Sequence, residues 1–235
     1  MLKIIISSIS IACLFLGIQA QAYTIALIGT GSVSSALGPR FAEMGHTVSY
    51  GSRSPFEQNV QNLVALTGPS ASATSQRDSV ANADIIVLAI PSGVIDEVMK
   101  RLGNLAGKII IDPINAVQLN NDNTLALSIL PSAAERIQKI APAAHVVKAF
   151  NTVSARFMRD PQLAGGPITI PLAGDNTEAK AVVARLVSGL GLEALDVGPL
   201  KNAQYVEYMG LMYIAQRSQG RDSLSFEYHL RVVPR

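Results

Sequence analysis

From Tyr23 onward, short apolar runs alternate with longer stretches in which apolar residues recur at helical spacing. TIALIG (24–29) reads as a strand, SSALGPRFAEM (34–44) as a helix closed by Gly45, and TVSYG (47–51) as a second strand. FEQNVQNLVAL (56–66) has helical spacing and stops at Thr67-Gly68-Pro69. SASATSQRDSVANA holds a short edge strand and a helical turn. ADIIVLAIP (83–91) reads as a buried strand, because parallel strands covered on both faces are written as continuous Ile/Val/Leu runs. A helix near 92–103, the strand KIIID (108–112), a helix near 131–140 and the strand HVVKAF (145–150) continue the rhythm. PITIPLAG (167–174), the helix TEAKAVVARLVSGL, the strand LEALDVG (192–198) and a helix over 201–217 follow. SLSFEYHLRVV (223–233) alternates like a closing edge strand, and the Asn-rich stretch from Asn115 to Thr124 reads as a loop.

Strands separated by helical crossovers predict an α/β fold: a doubly wound, mostly parallel sheet of Rossmann type in a single domain, residues 23–235. Residues 1–22 differ. A lysine, an apolar run over 4–18 and the small-x-small sequence Ala20-Gln21-Ala22 have the form of a signal peptide cleaved after Ala22. A used signal places the protein in the periplasm or outside the cell, with no stable membrane insertion after cleavage. A true start near Tyr23 keeps it in the cytoplasm.

The stretch IALIGTGSVSSALG (25–38) carries the first candidate chemistry. A dinucleotide diphosphate must approach backbone N–H groups at the start of the first helix, where the helix dipole favours negative charge. Gly29 permits the tight turn, and Gly31 removes a side chain that would block the phosphates. Ser34 stands where the third glycine is expected. That position governs how closely helix and strand pack, so the serine alters packing and leaves the phosphate cradle intact. Pro39, inside the helix, removes a backbone donor and predicts a kink.

At the end of the second strand, an NAD site would show Asp or Glu for the ribose hydroxyls. No acid occurs between Thr47 and Pro55; Ser52 and Arg53 stand there instead. A hydroxyl and a planar cationic fork suit a 2′-phosphate, which predicts NADP(H) over NAD(H).

Composition narrows the partners. Of 235 residues, 49% are apolar and 15% charged, with a formal net charge of +2, so no strong field points to nucleic acid. Three scattered histidines and the single Cys13 argue against metal ligation and disulfides.

The blocks GTG (29–31), GSR (51–53), ADIIVLAIP, KIIIDPINA (108–116), VVKAFNTV (146–153), LAGDNTEAKAVVARL (172–186) and GPLKNA (198–203) occur together and in order. In this the chain resembles the F420-dependent NADP oxidoreductases and their bacterial relatives, which in turn resemble the cytosolic domain of the STEAP metalloreductases. The resemblance implies that Gly29, Thr30, Gly31, Ser32 and Val33 hold the diphosphate and that Ser52 and Arg53 hold the 2′-phosphate. It places Ala89, Ile90 and Pro91 beside the nicotinamide ribose and ring, with Ala149, Phe150 and Asn151 facing the ring from the other side. Asn151 is equally suited to capping the following helix.

The implied activity is hydride transfer between NADPH and a small electron acceptor, with F420 or a flavin as candidate second substrate. The deazaflavin comes with the family, since no residue here signals it. Stacked flat rings need proximity and a dry pocket more than an acid or base. No catalytic residue is singled out: Lys148, Asp112, Tyr205 and Tyr213 are the available proton donors, and Asp112, at a strand end, is placed to point at the cleft. Two other readings stay open, a non-catalytic NADP-binding or sensor protein and a reductase of a small imine or carbonyl compound. A homodimer is compatible with either.

Overall fold

The computed structural model describes residues 21–218 and 226–233. Most of the expected signal segment therefore lies outside the described residues, as does the start of the expected closing strand. Among the described residues no helix is long and apolar enough to cross a membrane.

Among the described residues ten strands and eight α-helices follow one another, alternating except where β5, β6 and β7 run in succession. The first half runs β1 (Thr24–Ile28), α1 (Ser32–Glu43), β2 (Thr47–Ser52), α2 (Gln58–Thr67), β3 (Ala71–Ser75), α3 (Gln76–Ala81), β4 (Ile85–Leu88) and α4 (Ile95–Arg101). The second runs β5 (Ile109–Asp112), β6 (Val117–Leu119), β7 (Leu125–Leu127), α5 (Ala133–Ile140), β8 (His145–Lys148), α6 (Ala155–Arg159), β9 (Thr169–Gly174), α7 (Thr177–Gly189), β10 (Glu193–Asp196) and α8 (Ala203–Ser218). Eight strands form one sheet in the order β10-β9-β8-β5-β4-β1-β2-β3. The six from β8 to β3 are parallel, and β9 turns antiparallel to β8. This is a Rossmann-like sheet, and its strand order reverses between β1 and β4. Open parallel sheets bind ligands beyond the strand ends at such a switch point.

Helices cover both faces. Ile25, Leu27, Val48, Ile85 and Val87 pack with Leu37 and Phe41 of α1 on one side. Ala26, Ile28, Ile86 and Leu88 pack with Ile95 and Val98 of α4 and Ile137 of α5 on the other. All four residues of β4 are fully buried, which explains its unbroken apolar run. Each such side chain contributes about 1.5–3 kcal/mol of transfer free energy.

Local sequence sets the helix starts. Ser75, Ser132 and Asn176 accept hydrogen bonds from the amides of Asp78, Glu135 and Ala179, capping α3, α5 and α7. Helix α1 runs unbroken through Pro39.

Two sequence expectations are corrected. Asn115 to Thr124 is not all loop, since Val117–Leu119 pairs antiparallel with Leu125–Leu127 in a small hairpin. Its turn contains Asn123, with φ 64, a left-handed conformation that asparagine tolerates. The expected edge strand at 223–233 is not formed over 226–233. That segment touches β9 through Thr169, whose amide donates to the Tyr228 carbonyl and whose hydroxyl accepts from the Leu230 amide, without a ladder.

Candidate functional site

At the β1/β4 switch the carboxyl ends of the strands open into a crevice of ≈ 800 Å³. Gly29 makes the turn out of β1 with φ +99, and a Cβ there would overlap the carbonyl of Ala89 at the end of β4. Only glycine satisfies both conditions. At Gly31 a Cβ would meet nothing within 4 Å, so this glycine faces open space. Gly31 also occupies the N-cap position of α1, and no side chain caps that helix. The first-turn amides of Ser32, Val33 and Ser34 have no intrahelical acceptor, and the helix dipole concentrates partial positive charge there.

The far end of the crevice is formed by β2. Gly51 lets α3 close onto that strand, since a Cβ would come within 2.5 Å of Ser79 Oγ. Ser52 is buried and accepts a hydrogen bond of 3.1 Å from the Ser54 amide, which leaves its hydroxyl proton free to donate. Arg53 is exposed and makes no hydrogen bond or ion pair among the described residues.

Eight of the thirteen candidate residues line this crevice: Gly29, Thr30, Gly31, Ser52, Arg53, Ala89, Ile90 and Pro91. Ser32 and Val33 lie in the first turn of α1, beside it. Ala149 and Asn151 are buried elsewhere, at 0% and 2% exposure. The Asn151 amide donates to Asn115 Oδ1 at 3.1 Å and to the Val206 carbonyl at 2.9 Å, while Asn115 donates back to the Asn151 carbonyl at 2.7 Å. Asn151 thereby ties the end of β8 to α8. The helix that follows begins with Ser154 at its N-cap, so Asn151 does not cap it. Phe150, between them, adopts φ 66 and is buried.

The sequence did not single out the wall supplied by α4 and the residue before it, where Val94, Glu97, Val98 and Arg101 border the crevice. Glu97 and Arg101 pair as i,i+4 neighbours. That spacing, directly after the apolar run 83–91, was the available signal.

Asp112 does not point into the cleft. It is fully buried, with Oδ2 at 3.0 Å from Lys148 Nζ and Oδ1 accepting from the Ile114 amide at 2.8 Å. Lys148 Nζ also lies 2.9 Å from Glu207 Oε1 of α8 and donates to the Ile114 carbonyl. Glu207 Oε1 accepts from the Ala133 amide at 2.9 Å, at the start of α5. Burial pushes the Glu207 carboxyl above its ordinary range, with Lys148 opposing the shift. A carboxylate pair around one ammonium in a dry site carries a net negative charge, and a proton on Glu207 leaves a neutral Asp112–Lys148 pair. This cluster holds β5, β8, α5 and α8 together. Tyr213 donates to Glu227 at 2.6 Å, and Tyr205 is 63% exposed on α8.

A mostly parallel sheet with an open, glycine-lined crevice at its switch point defines a Rossmann-like domain. Residues 24–116 match the family described as NADP oxidoreductase, coenzyme F420-dependent. The chain resembles this F420-dependent NADP oxidoreductase family and, more distantly, the STEAP metalloreductases. It is 28% identical over 209 residues to the F420-dependent NADP reductase of Methanothermobacter thermautotrophicus, covering 81% of this chain and 87% of that one. It is 28% identical over 194 residues to metalloreductase STEAP3 of Rattus norvegicus, covering 83% of this chain but 38% of the relative's length. A crystal structure from Arthrobacter sp. FB24, provisionally described as an F420-dependent NADP-reductase, superposes with a TM-score of 0.79 at 28% identity, covering 89% of this chain and 100% of that one.

Proposed function

We propose that this chain binds NADP(H) in the β1/β4 crevice and transfers hydride between it and a small, flat electron acceptor of the flavin or deazaflavin kind. The observation that carries the reading is the open space over Gly31, at the uncapped start of α1, in one crevice with Ser52 and Arg53. A diphosphate fits the first-turn amides of α1, for which no other acceptor stands among the described residues. Ser52 and Arg53 hold the 2′-phosphate by charge-assisted hydrogen bonds. Ala89, Ile90 and Pro91 wall the path toward the nicotinamide with apolar and backbone surface, which keeps water from the reacting face. The nicotinamide, when bound, supplies the hydride chemistry. The chain's own contribution is alignment and exclusion of water.

Burial of Asp112 and Lys148 favours direct hydride transfer over a reaction that needs a proton donor from these residues. The same observation supports a second reading, a protein that binds NADP(H) without turnover. Titrating the protein with NADPH and NADH, then screening flavins, deazaflavins, ferric chelates, quinones and imines for NADPH oxidation, separates the two. Absence of NADPH binding sinks both readings, and turnover with any acceptor removes the second. We further propose, from the apolar run at 4–18 and Ala20-Gln21-Ala22, that residues 1–22 are a leader, which N-terminal sequencing of the protein from its host tests.

A further inference from the structure

Beyond Ser52 the crevice continues into a second cavity of ≈ 680 Å³. The two share Ser52, Arg53, Gln76 and Arg101, and the second adds Arg77 of α3 together with Lys100 and Gly103 at the end of α4. Four of its lining side chains are cationic and none is acidic. Arg101 is neutralised in part by Glu97. Arg77 is exposed and, like Arg53, makes no ion pair or hydrogen bond among the described residues. The Arg77 guanidinium lies near the turn that ends α4, its Nε 3.7 Å from where a Cβ at Gly103 would stand. Gly103 makes that turn with φ +85, a conformation that favours glycine.

Cations gathered around one cavity repel each other unless an anion joins them. A phosphate monoester carries between one and two charges near neutral pH, more than one guanidinium offsets. We infer that Arg77 is a second specificity-determining residue of the 2′-phosphate subsite, so that NADP(H) is gripped from two elements: Arg53 after β2 and Arg77 at the start of α3. This rests on the proposed binding of NADP(H) in the neighbouring crevice. It differs in consequence from a subsite built on Arg53 alone. With one arginine, its removal abolishes the preference for NADP(H); with two, either single variant keeps part of it.

Binding of 2′,5′-ADP and of 5′-AMP by the whole chain and by Arg53→Ala, Arg77→Ala and the double variant isolates this subsite, because the two probes differ only in the 2′-phosphate. Arg77→Ala should lose about 10- to 100-fold in affinity for 2′,5′-ADP and for NADPH, with 5′-AMP and NADH unchanged. The double variant should bind 2′,5′-ADP and 5′-AMP alike, and Arg77→Lys should recover part of the loss as a charge without the fork. Both arginines are exposed, so thermal unfolding should stay at the wild-type midpoint. If wild type prefers NADPH and Arg53→Ala alone erases the preference while Arg77→Ala changes nothing, the role of Arg77 is overturned and the binding proposal stands. If wild type binds none of the four nucleotides, both fall.

Discussion

Gly38 of α1 lies directly against the hydroxyl of Tyr50 on β2, so closely that a Cβ at position 38 would overlap the phenol oxygen. The hydroxyl shares a hydrogen bond of 2.6 Å with Thr67 Oγ1, and burial pushes its pKa to about 12. Ser34, where a dinucleotide turn usually has its third glycine, is fully buried with its hydroxyl unpartnered. The close approach of helix to sheet therefore falls one turn later, at Gly38.

Gly38→Ala should destabilise the fold even though alanine is the better helix former by about 1 kcal/mol. Overpacking costs about 1–3 kcal/mol, and displacing Tyr50 also breaks its bond to Thr67. Tyr50→Phe removes the nearest atom, so Gly38→Ala should cost less in that background, a coupling that a denaturant double-mutant cycle reads directly. An equal cost in both backgrounds would show that the two residues are not in conflict.

Gly29 and Gly31 should separate stability from binding. Gly29→Ala puts a side chain at φ +99 and into the Ala89 carbonyl, and is expected to lower the unfolding midpoint by several degrees. A Cβ at Gly31 meets only space, so Gly31→Val should fold with a near-native midpoint yet lose at least about tenfold in NADPH affinity, because the added methyls occupy the phosphate cradle. Unchanged NADPH binding in Gly31→Val would place the diphosphate elsewhere.

Much of this fold was legible because the central strands are buried on both faces and announce themselves as apolar runs; β1, β4 and β8 are of this kind. The β6–β7 hairpin was not. Its strands are three residues each, largely outside the core, and carry too few apolar positions to show a period. The glycine turn and Ser52-Arg53 could be read because backbone geometry and charge are local properties of the sequence. Asp112 was misread because its fate depends on Lys148 and Glu207, which only folding brings to it. Arg77 had no motif around it, and only the cavity it shares with Arg53 draws attention to it.

The Glu207 carboxyl should make stability depend on pH. Its pKa is raised in the folded protein above the ordinary 4.5, chiefly by burial. The stability it contributes is thus fully present below about 4.5 and is lost as pH rises through the folded-state value, with a slope of at most about 1.4 kcal/mol per pH unit for one proton. Glu207→Gln mimics the protonated acid, because an amide oxygen still accepts from the Ala133 amide and Lys148. Urea unfolding from pH 4.5 upward should show the variant gaining on wild type as pH rises. A difference that stays constant would mean the carboxyl is charged throughout.

Asn151 offers a test between a latch and a contact with the nicotinamide. Gly210 of α8 packs so tightly on this side chain and on Asn115 that a Cβ would overlap Asn115 Oδ1 and come within 2.7 Å of Asn151 Nδ2. Asn151→Ala removes a donor from Asn115 Oδ1 and the second donor of the Val206 carbonyl, which keeps its intrahelical partner, at about 0.5–1.5 kcal/mol for each bond lost. Gly210→Ala should push α8 away from Asn115 and Asn151 and cost a similar amount while keeping the asparagine at 151. If the residue works as a latch, both variants lower the unfolding midpoint and speed amide exchange near Val206, while the folded fraction binds NADPH as wild type does. If Asn151 instead meets the ring, Asn151→Ala weakens NADPH binding or slows hydride transfer far more than Gly210→Ala at matched stability, and the hydrogen bonds to α8 are incidental to its role.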